Sequence, residues 1–111
     1  EFISSSKGAS EGALVISLPK IEDESFISKY KEKFGKDIGA YSANSFDATN
    51  ILINAIEKAK SENTSKIAKT ILQTKDFPGL TGKLSFNEKG DLENPNFTIY
   101  KIEKGKFQTL N

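Results

Sequence analysis

The sequence predicts an α/β fold, and three features carry that prediction. Ala13-Leu14-Val15-Ile16-Ser17-Leu18 is a short apolar run rich in β-branched residues; the stretch from Asp23 to Thr74 holds three segments with apolar residues at helical spacing; after Thr74 polar and apolar residues alternate. The 111 residues, with 36% hydrophobic and 28% charged, suffice for a small globular core.

Glu1 to Ser6 reads as the end of a helix, with Gly8 placed to take a left-handed stop. The run Ala13 to Leu18 is too short for a buried helix and predicts a strand covered on both faces, ended by Pro19. Asp23 is suited to N-cap a helix reaching Phe34, with Phe26, Ile27, Tyr30 and Phe34 on one face and Gly35 at its end. Asn44 to Lys60 forms the strongest helical pattern, its apolar face made of Phe46, Ile51, Leu52, Ala55, Ile56 and Ala59. A third helix starts after Asn63 or Thr64 and carries Ile67, Ala68, Ile71 and Leu72. Phe77-Pro78-Gly79-Leu80-Thr81-Gly82 reads as a rigid loop and Lys83 to Phe86 as a strand, with a turn at Asn87 to Asp91. Phe97 to Ile102 and Lys106 to Leu110 predict a hairpin across Glu103-Lys104-Gly105. Three helices between two strands is not the regular alternation of one doubly wound domain, so the first strand and the final hairpin are expected to belong to a different body from the helices.

Composition excludes several chemistries. Without cysteine there are no disulfides or thiol nucleophiles, and without histidine no His-based triad or general base. Sixteen basic against fifteen acidic residues give no support for a nucleic-acid partner; Lys29, Lys31, Lys33 and Lys36 are interleaved with Glu32 and Asp37 and read as a solvated helix face. Phe77 to Gly82 lacks the Gly-Lys-Ser/Thr ending of a phosphate-binding loop and precedes a strand. Asp91, Glu93 and Asn94 lack EF-hand spacing and read as a solvated turn. No cofactor is expected, and neither a carboxylate pair nor a Ser-Lys dyad can be placed for an enzyme.

Three stretches resemble the end of the Leu/Ile/Val-binding family of solute-binding proteins. They are Ala9-Ser10-Glu11-Gly12-Ala13-Leu14-Val15; Gly39-Ala40-Tyr41 with Ser45-Phe46-Asp47-Ala48; and Lys75 to Gly82 followed by Leu84-Ser85-Phe86-Asn87 and Gly90-Asp91. Tyr100-Lys101-Ile102 and Gly105-Lys106-Phe107 follow at the spacing the family shows. The resemblance implies the C-terminal part of a two-lobed, class I periplasmic-binding-protein-like fold whose chain crosses repeatedly between lobes. It assigns residues 1–18 to the end of the second lobe, 19–92 to the first lobe, and 93–111 to a hairpin returning to the second. It also places about 250 residues ahead of Glu1, in keeping with two-lobe size; a start at Glu rather than Met fits a chain that was cut, processed or trimmed.

In function the resemblance implies a non-catalytic, extracytoplasmic receptor, periplasmic or lipid-anchored. It would capture a small ligand such as an aliphatic amino acid between hinge-closing lobes and present it to an ABC-type permease. A sensor with the same fold is the alternative, distinguished by what flanks the chain. Tyr41 matches the aromatic position that lines the ligand's side chain in this family, and its flat apolar face and hydroxyl suit that task; a core aromatic before a helix is the competing reading. Ser42 and Asn44 are expected to cap the following helix, and Asp47 to complement the dipole in its first turn rather than meet the ligand's charge. The groups that hold the ligand's ammonium and carboxylate are expected upstream of Glu1. The chain alone is therefore expected to bind no free amino acid and to self-associate through its unpaired first strand.

Overall fold

The computed structural model describes residues 2–93 and 95–110, so Glu1, Asn94 and Asn111, which entered the sequence reading, lie outside the described residues. The elements are α1 (Phe2–Ser5), β1 (Leu14–Ser17), α2 (Glu24–Phe34), α3 (Ser42–Ala59), α4 (Thr64–Leu72), β2 (Phe77–Gly79), β3 (Gly82–Leu84), β4 (Thr98–Glu103) and β5 (Lys106–Thr109). They divide into two compact units, Glu1–Lys20 with Asn96–Asn111, and Ile21–Pro95.

In the first unit β1, β4 and β5 form an antiparallel sheet in that order, with Val15 opposite Tyr100 and Ile102 opposite Phe107. The hairpin loop is only Lys104-Gly105, and Glu103 is the last residue of β4 rather than part of the connection. Both loop residues have positive φ (53° and 69°), the geometry whose twist matches that of the flanking strands. Glu11 fixes this tip: its carboxylate accepts from the Lys104 N–H at 2.7 Å and the Gly105 N–H at 3.3 Å. Ile102 is fully buried, and Tyr100 packs edge-on against Phe107 while its hydroxyl donates to the Leu18 carbonyl at 3.2 Å. α1 ends at Ser5, and the chain then passes through left-handed positions at both Lys7 and Gly8.

A second expectation also fails in this unit. The expected cover on both faces of β1 is absent, since Leu14 is 64% and Ile16 70% exposed. β1 is an edge strand paired with β4 alone, and the pleat turns Val15 and Ser17, not Leu14 and Ile16, toward the side shared with Tyr100. An unbroken apolar run reports the hydrophobicity of both faces, not whether this chain covers them.

In the second unit Asp23 starts α2 by accepting from the Phe26 N–H at 2.9 Å, and Gly35 ends it at φ 64°. Phe26, Tyr30 and Phe34 form a ring ladder along the helix, and Phe26 meets Phe46 of α3 at 5.3 Å. Asn63 caps α4 through the Lys66 N–H. α3 packs against α4. Its buried residues are Ala43, Asp47, Ile51 and Ala55, a column spaced by four; Leu52, Ile56 and Phe46, expected on the buried face, are exposed. The helix carries apolar residues on two sides and is covered along only one.

The stretch after α4 also departs from expectation. Phe77 to Gly82 is not a loop before a strand: β2 and β3 form a tight antiparallel hairpin whose loop is Leu80-Thr81 alone. Pro78 fits because it lies opposite Lys83, next to the pair that closes the loop, where the ladder needs no N–H. Phe86 bridges to Leu92, and the Lys75 ammonium donates to the Phe86 carbonyl and pairs with Glu93 at 2.6 Å. The predicted turn is present: Asn87 Oδ1 accepts from the Lys89 and Asp91 N–H groups, with Gly90 at φ 88°.

Asp47 joins this hairpin to α3. α3 starts at Ser42, so Asp47 lies in the second turn rather than the first, is 3% exposed, and does not serve the helix dipole. One carboxylate oxygen accepts from the Leu80 N–H at 2.8 Å, and the other from the Thr81 N–H at 2.9 Å and the Thr81 hydroxyl at 2.7 Å. Backbone amides at a two-residue tip have no ladder partner, and a buried carboxylate needs donors, so each satisfies the other. Gly79 permits the approach: a Cβ there would stand 2.6 Å from Asp47 Oδ2 and 2.9 Å from Leu84 Cδ1. Asp47→Ala is expected to lower unfolding free energy by about 2–3 kcal/mol, since it strands buried donors. Gly79→Ala should cost about 1–3 kcal/mol through overpacking. In urea titrations the double variant should lose less than the sum, because removing the carboxylate opens space for the new methyl group.

Candidate functional site

The aromatic position singled out by the sequence lies on a turn pinned at both ends. Gly39-Ala40-Tyr41-Ser42 closes through the Ser42 N–H donating to the Gly39 carbonyl at 3.1 Å, while Ser42 Oγ accepts from the Gly39 N–H at 2.9 Å. Tyr41, at φ −113° and ψ 9°, has the backbone of the second central residue of a type I turn and is also the N-cap residue of α3. Its carbonyl accepts from the Ser45 N–H at 2.9 Å, so the turn runs directly into the helix.

Tyr41 is 70% exposed in this chain. Among the described residues its ring meets no other ring and its hydroxyl no hydrogen-bond partner. A solvent-facing aromatic with a free hydroxyl can cover an aliphatic group and bond water or ligand at its tip. The expected caps are not formed: α3 has no side-chain N-cap, since Ser42 reaches back to Gly39 and Asn44 lies within the first turn. Asp47, with both oxygens engaged by the hairpin, is not available to a ligand's charge.

The lysine-rich face of α2 is solvated as expected; Lys31 pairs with Asp37 at 3.0 Å between exposed side chains, and Lys33 lies over the exposed Phe34 ring. Among the described residues no group of acidic side chains gathers to hold a metal, and no helix is long and apolar enough to cross a membrane.

Residues 3–105 match the receptor family ligand binding region. The chain belongs to that family. It is 33% identical over 106 residues to a leucine-, isoleucine-, valine-, threonine- and alanine-binding protein of Pseudomonas aeruginosa, a match that covers 91% of this chain and 28% of the relative. A Leu/Ile/Val-binding protein of Rhizobium johnstonii is 37% identical over 68 residues, 60% of this chain and 18% of the relative. In structure the chain is similar to a leucine-binding protein of Thermotoga maritima MSB8, with a TM-score of 0.78, 29% identity, and coverage of 98% of this chain and 33% of that one. A Bordetella pertussis structure described as a type 1 periplasmic binding protein gives a TM-score of 0.69 at 20% identity, covering 95% of this chain and 35% of the other, a likeness of fold. The fold is therefore the class I periplasmic-binding-protein type, and the chain spans about a third or less of the length of each of these four proteins.

Sequence reasoning missed the roles of three residues of this family member, Glu11, Ser42 and Asp47. Asp47 stands in a column with Ala43, Ile51 and Ala55, and a carboxylate amid small and apolar residues at i, i+4 spacing was a legible sign of burial with a partner. Glu11 and Ser42 gave no such sign, because their partners are backbone amides that any residue supplies.

Proposed function

We propose that this chain supplies part of an extracytoplasmic, non-catalytic solute-binding protein for ABC-type import, with an aliphatic amino acid as ligand and Tyr41 as one wall of the site. The observation that carries the reading is the exposed, pinned Tyr41 ring at the head of α3 in a member of a ligand-binding family. The amino acids in the relatives' names support the ligand class. In the whole protein residues 1–18 and 93–111 belong to one lobe and 19–92 to the other, a reading supported by the division into two compact units. The permease is the macromolecular partner, and a lipid anchor is the membrane link.

In the full-length protein Tyr41→Ala should weaken leucine binding by about 1–3 kcal/mol through lost apolar burial, with the melting temperature little changed. Isothermal titration decides; unchanged affinity, or unfolding of the variant, would remove Tyr41 from the site.

The 111-residue chain alone holds one wall and no identified partner for a zwitterion's charges, whose desolvation needs matched hydrogen bonds. Its β1 edge carries exposed Leu14 and Ile16, and Leu14 to Ser17 contains no charge to discourage pairing. This chain should therefore self-associate in light scattering and give no heat with leucine, isoleucine or valine. Ile16→Lys should shift it toward monomer. A wild-type monomer that binds one of these amino acids with micromolar affinity contradicts both expectations.

A further inference from the structure

We propose that Ser42 is a positioning residue for the ligand wall: its hydroxyl oxygen, by accepting the Gly39 N–H, holds the turn that presents the Tyr41 ring. The inference rests on the reading of Tyr41 as a site residue. It is carried by the reciprocal pair of bonds between Gly39 and Ser42, N–H to carbonyl at 3.1 Å and hydroxyl oxygen to N–H at 2.9 Å, which encloses Ala40 and Tyr41.

Three local facts give this bond its weight. α3 has no side-chain cap at its start, so nothing else from a side chain fixes the backbone of Tyr41. The ring meets no other ring and its hydroxyl no partner among the described residues, so neither a ring contact nor a hydrogen bond of its own holds it. The anchors that do hold this region in place, the Phe26–Phe46 ring contact and the Asp47 carboxylate on Leu80 and Thr81, lie five and six residues beyond Tyr41. Between these anchors and the ring, the Gly39–Ser42 clasp limits rotation of the Tyr41 backbone on its N-terminal side, as the bond from the Ser45 N–H to the Tyr41 carbonyl does on the helix side. An exposed bond of this kind adds little to global stability. Its effect is on the ordering cost of binding, because a ring already held in place loses less freedom when it closes on a ligand.

The test is a double-mutant cycle in the full-length protein with leucine as the titrant. Ser42→Ala should raise Kd by about three- to tenfold, the range of one hydrogen bond, while thermal unfolding stays close to wild type. Ser42→Thr, which keeps the acceptor, should restore affinity. In a Tyr41→Ala background Ser42→Ala should cost nothing further, because the clasp acts only through the ring. If Tyr41→Ala weakens binding but Ser42→Ala leaves Kd unchanged, this proposal is overturned and the reading of Tyr41 stands. Equal losses from Ser42→Ala with and without the ring also overturn it, by showing an effect that bypasses Tyr41. If Tyr41→Ala leaves Kd unchanged, the reading of the wall falls and the proposal falls with it.

Discussion

The second unit depends on a buried carboxylate that meets the tip of a hairpin. Asp47 lies in the same column of α3 as Ala43, Ile51 and Ala55, where apolar packing alone would exclude a charge. Its burial is sustained because the Leu80-Thr81 tip offers two N–H groups and a hydroxyl within 2.9 Å. The same contact requires a residue without Cβ at position 79. Helix, hairpin and glycine are therefore one unit of specification: changing any member leaves the others with an unpaired group or a collision. The first unit repeats the device on a more exposed scale, with Glu11 holding the amides of the Lys104-Gly105 tip. In both units a carboxylate distant in sequence closes a two-residue hairpin, which fixes chain topology with few residues.

Much of the secondary structure was legible in the sequence because its signals are local. Asp23, Gly35 and Asn63 mark helix ends through bonds made within a turn, and the reading of each was correct. What the sequence could not show was coverage. Leu14, Ile16, Leu52 and Ile56 have the hydrophobicity of core residues, yet they are exposed in a chain that spans about a third of the length of its relatives. The hairpin of β2 and β3 was hidden for another reason: Pro and two Gly within six residues are the signs of a loop, and only the pairing of Gly79 with Gly82 turns them into a ribbon.

The candidate site was legible in part. The resemblance singled out Tyr41, and its ring is exposed in this chain. The partners of nearby residues were not legible: Ser42 works through the Gly39 amide, and Asp47, whose place among small and apolar residues signals burial, works through the amides of Leu80 and Thr81, more than thirty residues away in sequence. In these bonds the donor is a backbone amide, which leaves no pattern of residue types in the sequence.

The central claim is that the start of α3 meets the ligand. Amide hydrogen exchange on the full-length protein, with and without leucine, addresses it most directly. The account predicts that exchange over residues 39–45 slows when leucine binds, while the solvated turn at 87–91 exchanges at the same rate in both states. Leucine binding that leaves 39–45 unchanged would contradict it and place the wall of the site elsewhere.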